Sequence, residues 1–152
     1  MGGLSGERAF VIKAEVRDPA AARFTFSGQK TMYGGRQIAQ GDTIFVFASE
    51  NEGGPGLIAM GIVSKAELVA KKPGTARQTP RVNITVRRTA RARQRLGRSQ
   101  LRLFLDWNDG RPETELNFKF YRQATNKIAG VSENAAAFPR TFFKAIGTVP
   151  QP

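Results

Sequence analysis

The 152-residue sequence contains no cysteine and no histidine. With neither thiolate nor imidazole there is no disulfide, no Cys- or His-based zinc site, no cysteine nucleophile and no Ser-His-Asp arrangement. Acid–base chemistry near neutral pH would fall to Asp, Glu, Lys or Tyr with shifted pKa values, the less common arrangement. The chain is therefore read as a non-enzyme with no metal and no cofactor. No stretch approaches the roughly 18 apolar residues of a membrane span. Met1 to Glu7 is polar and lacks an apolar run of signal-peptide length, so a soluble, cytoplasmic monomer without a membrane partner is expected.

Acidic residues are also scarce, 12 against 24 Lys and Arg, for a net charge of +12. The imbalance is local. Lys71 to Phe104 carries eleven basic residues and no acid, and the remainder is nearly neutral. Nine of the eleven are arginines, whose planar fork grips phosphate bidentately and stacks on bases. That concentration is the footprint of a polyanion-binding surface, DNA or RNA, with Arg87, Arg88, Arg91, Arg93, Arg95 and Arg98 as the phosphate-binding candidates. A merely solvated basic face is the plainer alternative.

Forty per cent of the residues are hydrophobic, enough for one core. We expect a single domain over residues 1–148 with a basic insertion around 71–104, and a loose tail at 149–152. Ala9 to Val16 reads as a strand, and Phe24 and Phe26 as a short extended piece. Tyr33-Gly34-Gly35 reads as a turn, Thr43 to Ala48 as a buried strand, and Leu57 to Val69 as one long or two short strands with a bulge at Gly61. Val82, Ile84 and Val86 alternate with polar residues, a strand with one wet face. Ala90 to Gly97 fits a short helix or a loop. Leu101, Leu103 and Leu105 predict another strand, Asn108-Asp109-Gly110 a turn, and Leu116, Phe118 and Phe120 a last strand. Ser132 is placed to cap a helix over Glu133 to Phe143, shortened or kinked by Pro139. The fold class is mainly β (α+β), a small curved sheet or barrel of about six strands with one or two peripheral helices.

Three of these pieces together resemble the PUA-like superfamily, its EVE domains and more remotely its YTH domains. They are the opening strand Phe10-Val11-Ile12-Lys13-Ala14-Glu15, the run Gly41-Asp42-Thr43-Ile44-Phe45-Val46-Phe47-Ala48-Ser49, and Pro55 to Val63. The resemblance covers the first half of the chain. It implies a β-barrel with a pocket that takes a flipped, often methylated nucleobase between aromatic side chains. The sequence departs from the EVE pattern at Phe10-Val11, where Tyr-Trp is usual, at Val16, where Pro would follow Glu, and at Phe26 to Tyr33, which lacks the family's Trp.

The base-pocket candidates are Tyr33, Phe47, Ser49 and Trp107, with Phe26 a possible substitute for the missing Trp. Trp107 stands at an expected strand end, and Tyr33 beside glycines that permit close approach. Phe47 shares a strand face with Phe45, and the Ser49 hydroxyl is placed to read a base edge. Core packing, for the aromatics, and turn capping, for Ser49, are the plainer readings. Asn117, Lys119, Tyr121, Gln123 and Asn126 form an expected polar strand face. The acidic cluster Asp106, Asp109, Glu113 and Glu115 invites a magnesium-dependent nuclease as the alternative function. In a strand, however, Glu115 and Lys119 would stand about 13 Å apart. A third reading is a basic adaptor for an acidic protein.

Overall fold

The computed structural model describes residues 9–50, 54–70, 74, 80–119 and 127–143. Six strands, β1 (Ala9–Ala14), β2 (Arg23–Met32), β3 (Thr43–Ala48), β4 (Gly56–Leu68), β5 (Arg81–Arg91) and β6 (Lys127–Val131), close a barrel in the order β1-β3-β4-β5-β2-β6. Three short helices accompany it: α1 (Arg98–Leu101), α2 (Pro112–Leu116) and α3 (Glu133–Arg140). The α+β barrel expected from the sequence is the fold observed.

Two hydrophobic cores explain why the strands read differently as sequence. Phe10, Ile12, Phe24, Phe26, Ile44, Val46, Val82, Ile84, Val86 and Ile128 fill the barrel interior. Val11, Phe45, Phe47, Leu57 and Ala129 point outward into a second core with Leu96, Leu101, Leu116, Ala135 and Ala136. The wall of β1, β3, the start of β4 and β6 is thus covered on both faces, so AFVIKA and TIFVFA are continuous apolar runs. The β2 and β5 wall is wet outside. Its strands therefore alternate, and β5 places Arg81, Asn83, Thr85 and Arg87 opposite Val82, Ile84 and Val86.

Most expected elements are present, often longer. The short piece at Phe24 becomes a ten-residue strand, and β4 is continuous with a register shift between Met60 and Gly61. Ser132 caps α3 by accepting from the Ala135 amide at 3.0 Å, and Pro139 lies within the helix one residue before its end.

Two expected strands are corrected. Leu101 ends α1 and is buried, whereas Leu103 and Leu105 are 80% and 60% exposed, so their alternation lines no sheet face. Leu116 belongs to α2, which Pro112 opens with Glu113 and Glu115 in its first turn, and the chain continues through a wider π-type turn over 117–119. Proline at the first helical position with acids behind it is a helix-start signal that outweighs a three-residue apolar alternation. The barrel is closed instead by β6, five residues with a glycine, antiparallel to β1 and parallel to β2.

Near the closure, Gly35 lies against β6 so closely that a Cβ there would stand 2.2 Å from the Ile128 carbonyl oxygen. Backbone cannot yield as a side-chain tip does. Gly35→Ala is expected to cost roughly 1–3 kcal/mol, the range of overpacking, read as a lower urea midpoint with unchanged m-value. A midpoint equal to the parent's would show that β6 relaxes freely.

Candidate nucleic-acid interface

The basic candidates follow from the alternation of β5. Arg87 and Arg91 are exposed on its outer face, and Arg93, Arg95 and Arg98 are exposed on the segment that continues it. Arg87, Arg91 and Arg93 have no carboxylate within ion-pair distance among the described residues. Arg95 meets Glu50 at 3.5 Å in an exposed pair, which solvent makes weak. Arg88 differs: its guanidinium donates to the carbonyls of Ala20 at 2.5 Å and Ala21 at 3.0 Å, pinning the β1–β2 connection. It is a clamp on the fold, with less freedom to reach a phosphate.

A cleft of about 280 Å³ is lined by Trp107, Gly110, Arg111, Thr114, Glu115 and Phe118. That volume falls near the small end of ligand sites and suits one base-sized group. Trp107 is 39% exposed, and its ring centroid lies 5.1 Å from that of Phe118 in a tilted pair. One indole surface is thus braced while part of the ring meets solvent. Gly110, at φ 71°, turns the chain beneath it.

Next to this cleft, Glu115 binds three groups. Lys119 Nζ donates to its Oε2 at 3.0 Å, and the Ser132 hydroxyl and amide donate at 2.6 and 2.9 Å. Burial alone would raise the carboxyl pKa; the hydrogen bonds from Ser132 and Lys119 outweigh it and hold Glu115 below its ordinary value. Lys119 also donates to the Gly130 carbonyl and stands 4.8 Å from the Tyr33 ring centroid. Tyr33, itself 39% exposed at a positive φ of 54°, is one ion pair away from the Trp107 cleft.

A buried polar group lies under the other end of the helical layer. Ser49 continues β3, is 2% exposed, and its Oγ has no hydrogen-bond partner among the described residues. Its amide donates to Ala14 at 2.9 Å, which puts it beside the end of β1. There Lys13, opposite Phe47 in the β1–β3 register, is 1% exposed. Burial and then the Arg98 charge lower its pKa to about 8, against a smaller opposing effect from Glu50. Glu50 in turn accepts from the Arg98 amide at 2.9 Å.

No protein-family model matches the sequence, and no curated protein does. Solved structures do match. The human THYN1 protein, in complex with DNA containing 5-methylcytosine, superimposes with a TM-score of 0.62 at 12% identity, over 91% of this chain and 99% of that one. The fold is the one seen in that structure, in line with the PUA-like barrel that the sequence resemblance leads one to expect. The DUF55 domain of human thymocyte nuclear protein 1 gives 0.60 at 15% identity over 86% and 95%, and a Leishmania major protein gives 0.57 at 17% over 90% and 95%. At these identities the likeness is one of fold.

On this barrel the sequence candidates sort differently from their expected grouping. Tyr33, Lys119 and Trp107 come to one neighbourhood, with Glu115 between them. Ser49 is in the Lys13 group. Phe47 is fully buried in the second core and cannot wall an open pocket. Asn117 is not on a strand face; it is buried after α2 and donates to the Phe104 carbonyl at 3.1 Å. Phe26 lines a separate mouth of about 340 Å³ with Phe24, Arg17 and Arg23, but its ring is 6% exposed. Tyr121, Gln123 and Asn126 lie outside the described residues.

The acidic cluster is likewise engaged in local structure. Asp109 accepts from the Arg111 amide and the Thr114 hydroxyl, Asp106 from the Asn108 amide, and Glu113 pairs with Arg111 at 3.0 Å. Among the described residues no three or more Asp or Glu are grouped to hold a metal ion. Lys13 is absent from the sequence candidates, although a lysine inside an apolar run is itself a signal.

The lowered Lys13 pKa has a measurable sign. Between about 8 and its ordinary 10.5 the unfolded chain binds the extra proton and the folded one does not, so stability rises with pH across that window. Below pH 8 the buried ammonium costs on the order of 3 kcal/mol. Lys13→Met should flatten the rise in Tm between pH 8 and 10, and parallel profiles for the two proteins would contradict the burial of a charged Lys13.

Proposed function

We propose that this protein is a nucleic-acid-binding module whose Trp107 cleft takes a single, modified base while the arginines of β5 and the following segment hold phosphates. The observation that carries the reading is an exposed run of arginines, Arg87, Arg91 and Arg93, without acidic partners among the described residues, on a fold also found in a protein solved with 5-methylcytosine DNA. A methylated base keeps its π-face and gains apolar surface, which suits the indole of Trp107 braced by Phe118. Tyr33 offers a second exposed ring. Arg111 at the cleft supplies N–H donors for a base edge or a phosphate. The nuclease alternative loses support because Asp109, Glu113 and Glu115 already hold the turn and α2.

The two halves of the proposal separate experimentally. Replacing Arg87, Arg91, Arg93 and Arg95 together by Gln should weaken binding to every oligonucleotide and lower the log–log salt slope on duplex DNA by about 0.9 per phosphate no longer neutralised. Trp107→Ala and Tyr33→Ala should leave that slope unchanged and weaken binding to methylated oligonucleotides by roughly five- to a hundred-fold, as expected when an aromatic ring no longer stacks on the base. Their melting temperatures are measured alongside. Folded variants that bind methylated and plain DNA and RNA as tightly as the parent would overturn the pocket, and an unchanged slope in the Gln variant would overturn the phosphate assignment.

A further inference from the structure

On the wet wall of the barrel, cationic side chains face one another in register. Arg23 on β2 pairs directly with Arg87 on β5. Seven residues further along β2, Lys30 pairs with Arg81 on β5 and, on its other side, with Lys127 on β6. Barrel alternation turns all five outward, since their neighbours Phe24, Val82, Val86 and Ile128 fill the interior. Like charges directly opposite in a sheet destabilise it, where opposite charges would have contributed up to about 1 kcal/mol per pair. The acid on the adjoining part of β4 is Glu67, opposite Asn83, and it lies 4.0 Å from Lys65 in an exposed pair.

The space between the cationic pairs is polar and uncharged. Thr25 faces Thr85, and Asn83 accepts from the Gly28 amide at 2.6 Å. Arg81 donates one N–H to the Gly28 carbonyl at 2.8 Å, which fixes the guanidinium over the register shift in β2 between Phe26 and Gln29, with further N–H donors remaining. The helical layer covers the opposite wall, and among the described residues no helix packs on this one.

We propose that the phosphate-binding surface extends from Arg87 across the outer wall of β2, β5 and β6, where it tracks a sugar–phosphate backbone through Arg23, Lys30, Arg81 and Lys127. The proposal rests on the reading that the ligand is nucleic acid and adds a face remote in sequence from the Trp107 cleft. Mutual repulsion within the wall is relieved when phosphates lie between the cations, so here affinity and stability are opposed. That opposition distinguishes a binding wall from a solvated one.

Lys30→Glu places a carboxylate between Arg81 and Lys127, and Arg23→Gln removes the charge facing Arg87. Each should raise the Tm of the free protein at low salt, with the gain shrinking as salt is added. Each should also weaken binding to a plain duplex. Arg23→Gln should lower the log–log salt slope by about 0.9, and Lys30→Glu by at least as much. Trp107→Ala, by contrast, should leave the slope intact. Parent-level affinity and slope in both wall variants would overturn the extension over the wall while leaving the cleft and the Arg87–Arg93 run standing. A parent protein that fails to bind DNA or RNA would overturn both, and parent binding to poly-glutamate but not to nucleic acid would replace the ligand assigned here.

Discussion

Closure of the barrel by β6 is the constraint on which the rest of the molecule depends. Five residues, Lys127–Val131, satisfy the free edges of β1 and β2 at once, and a sheet without edges needs no other protection. Ile128 supplies the interior with its side chain and Gly35 with a carbonyl to pack against. Gly130 donates to the Tyr33 carbonyl at 3.2 Å and accepts from Lys119. The strand then runs into Ser132, which caps α3 and holds Glu115. One short element thus fixes barrel, helical layer and cleft together.

The helical layer divides the barrel wall into two chemical halves. Where helices cover it, the strands must be apolar on both faces, and a polar side chain there is trapped, as Lys13 and Ser49 are. Where the wall is bare, the outer positions are free to carry charge, and they carry cations. Desolvation governs the first half and like-charge repulsion the second. The first is felt at any salt concentration; the second fades within a Debye length of about 8 Å at physiological ionic strength.

This division also sets what was legible in the sequence. The barrel interior was readable because β1, β3, β4 and β5 combine β-branched residues with the right period or the right length, and glycine marked the turn after Tyr33 and the bulge at Gly61. Leu101 to Leu105 and Leu116 to Phe120 misled because three alternating apolar residues fit a strand, while burial of Leu101 and Leu116 against distant residues was invisible locally. β6 is too short and too glycine-bearing to announce itself. At the site, Trp107 and Tyr33 were visible as rare aromatics beside turn residues. The Glu115–Lys119 bond was not, because i and i+4 lie about 13 Å apart in a strand and adjacent on a helix. Phe47 was misplaced for the complementary reason: without the helical layer, nothing in the strand says that its outer face is covered.

The kinds of cation in the two halves follow from where they sit. The exposed positions at Arg87, Arg91 and Arg93 use guanidinium, whose planar fork matches the geometry of a phosphate. The buried position uses an amine, whose charge depends on its surroundings, and burial brings its pKa to about 8. Salt therefore acts mainly on the outer surface and pH mainly on the covered one. Ser49, buried beside the end of β1 with a hydroxyl unpartnered among the described residues, adds a second polar group to the covered half. The barrel thus sorts its polar groups by solvent: cations on the outer β2–β5 wall, whose repulsion salt screens, and an amine and a hydroxyl beneath the helices, which desolvation governs.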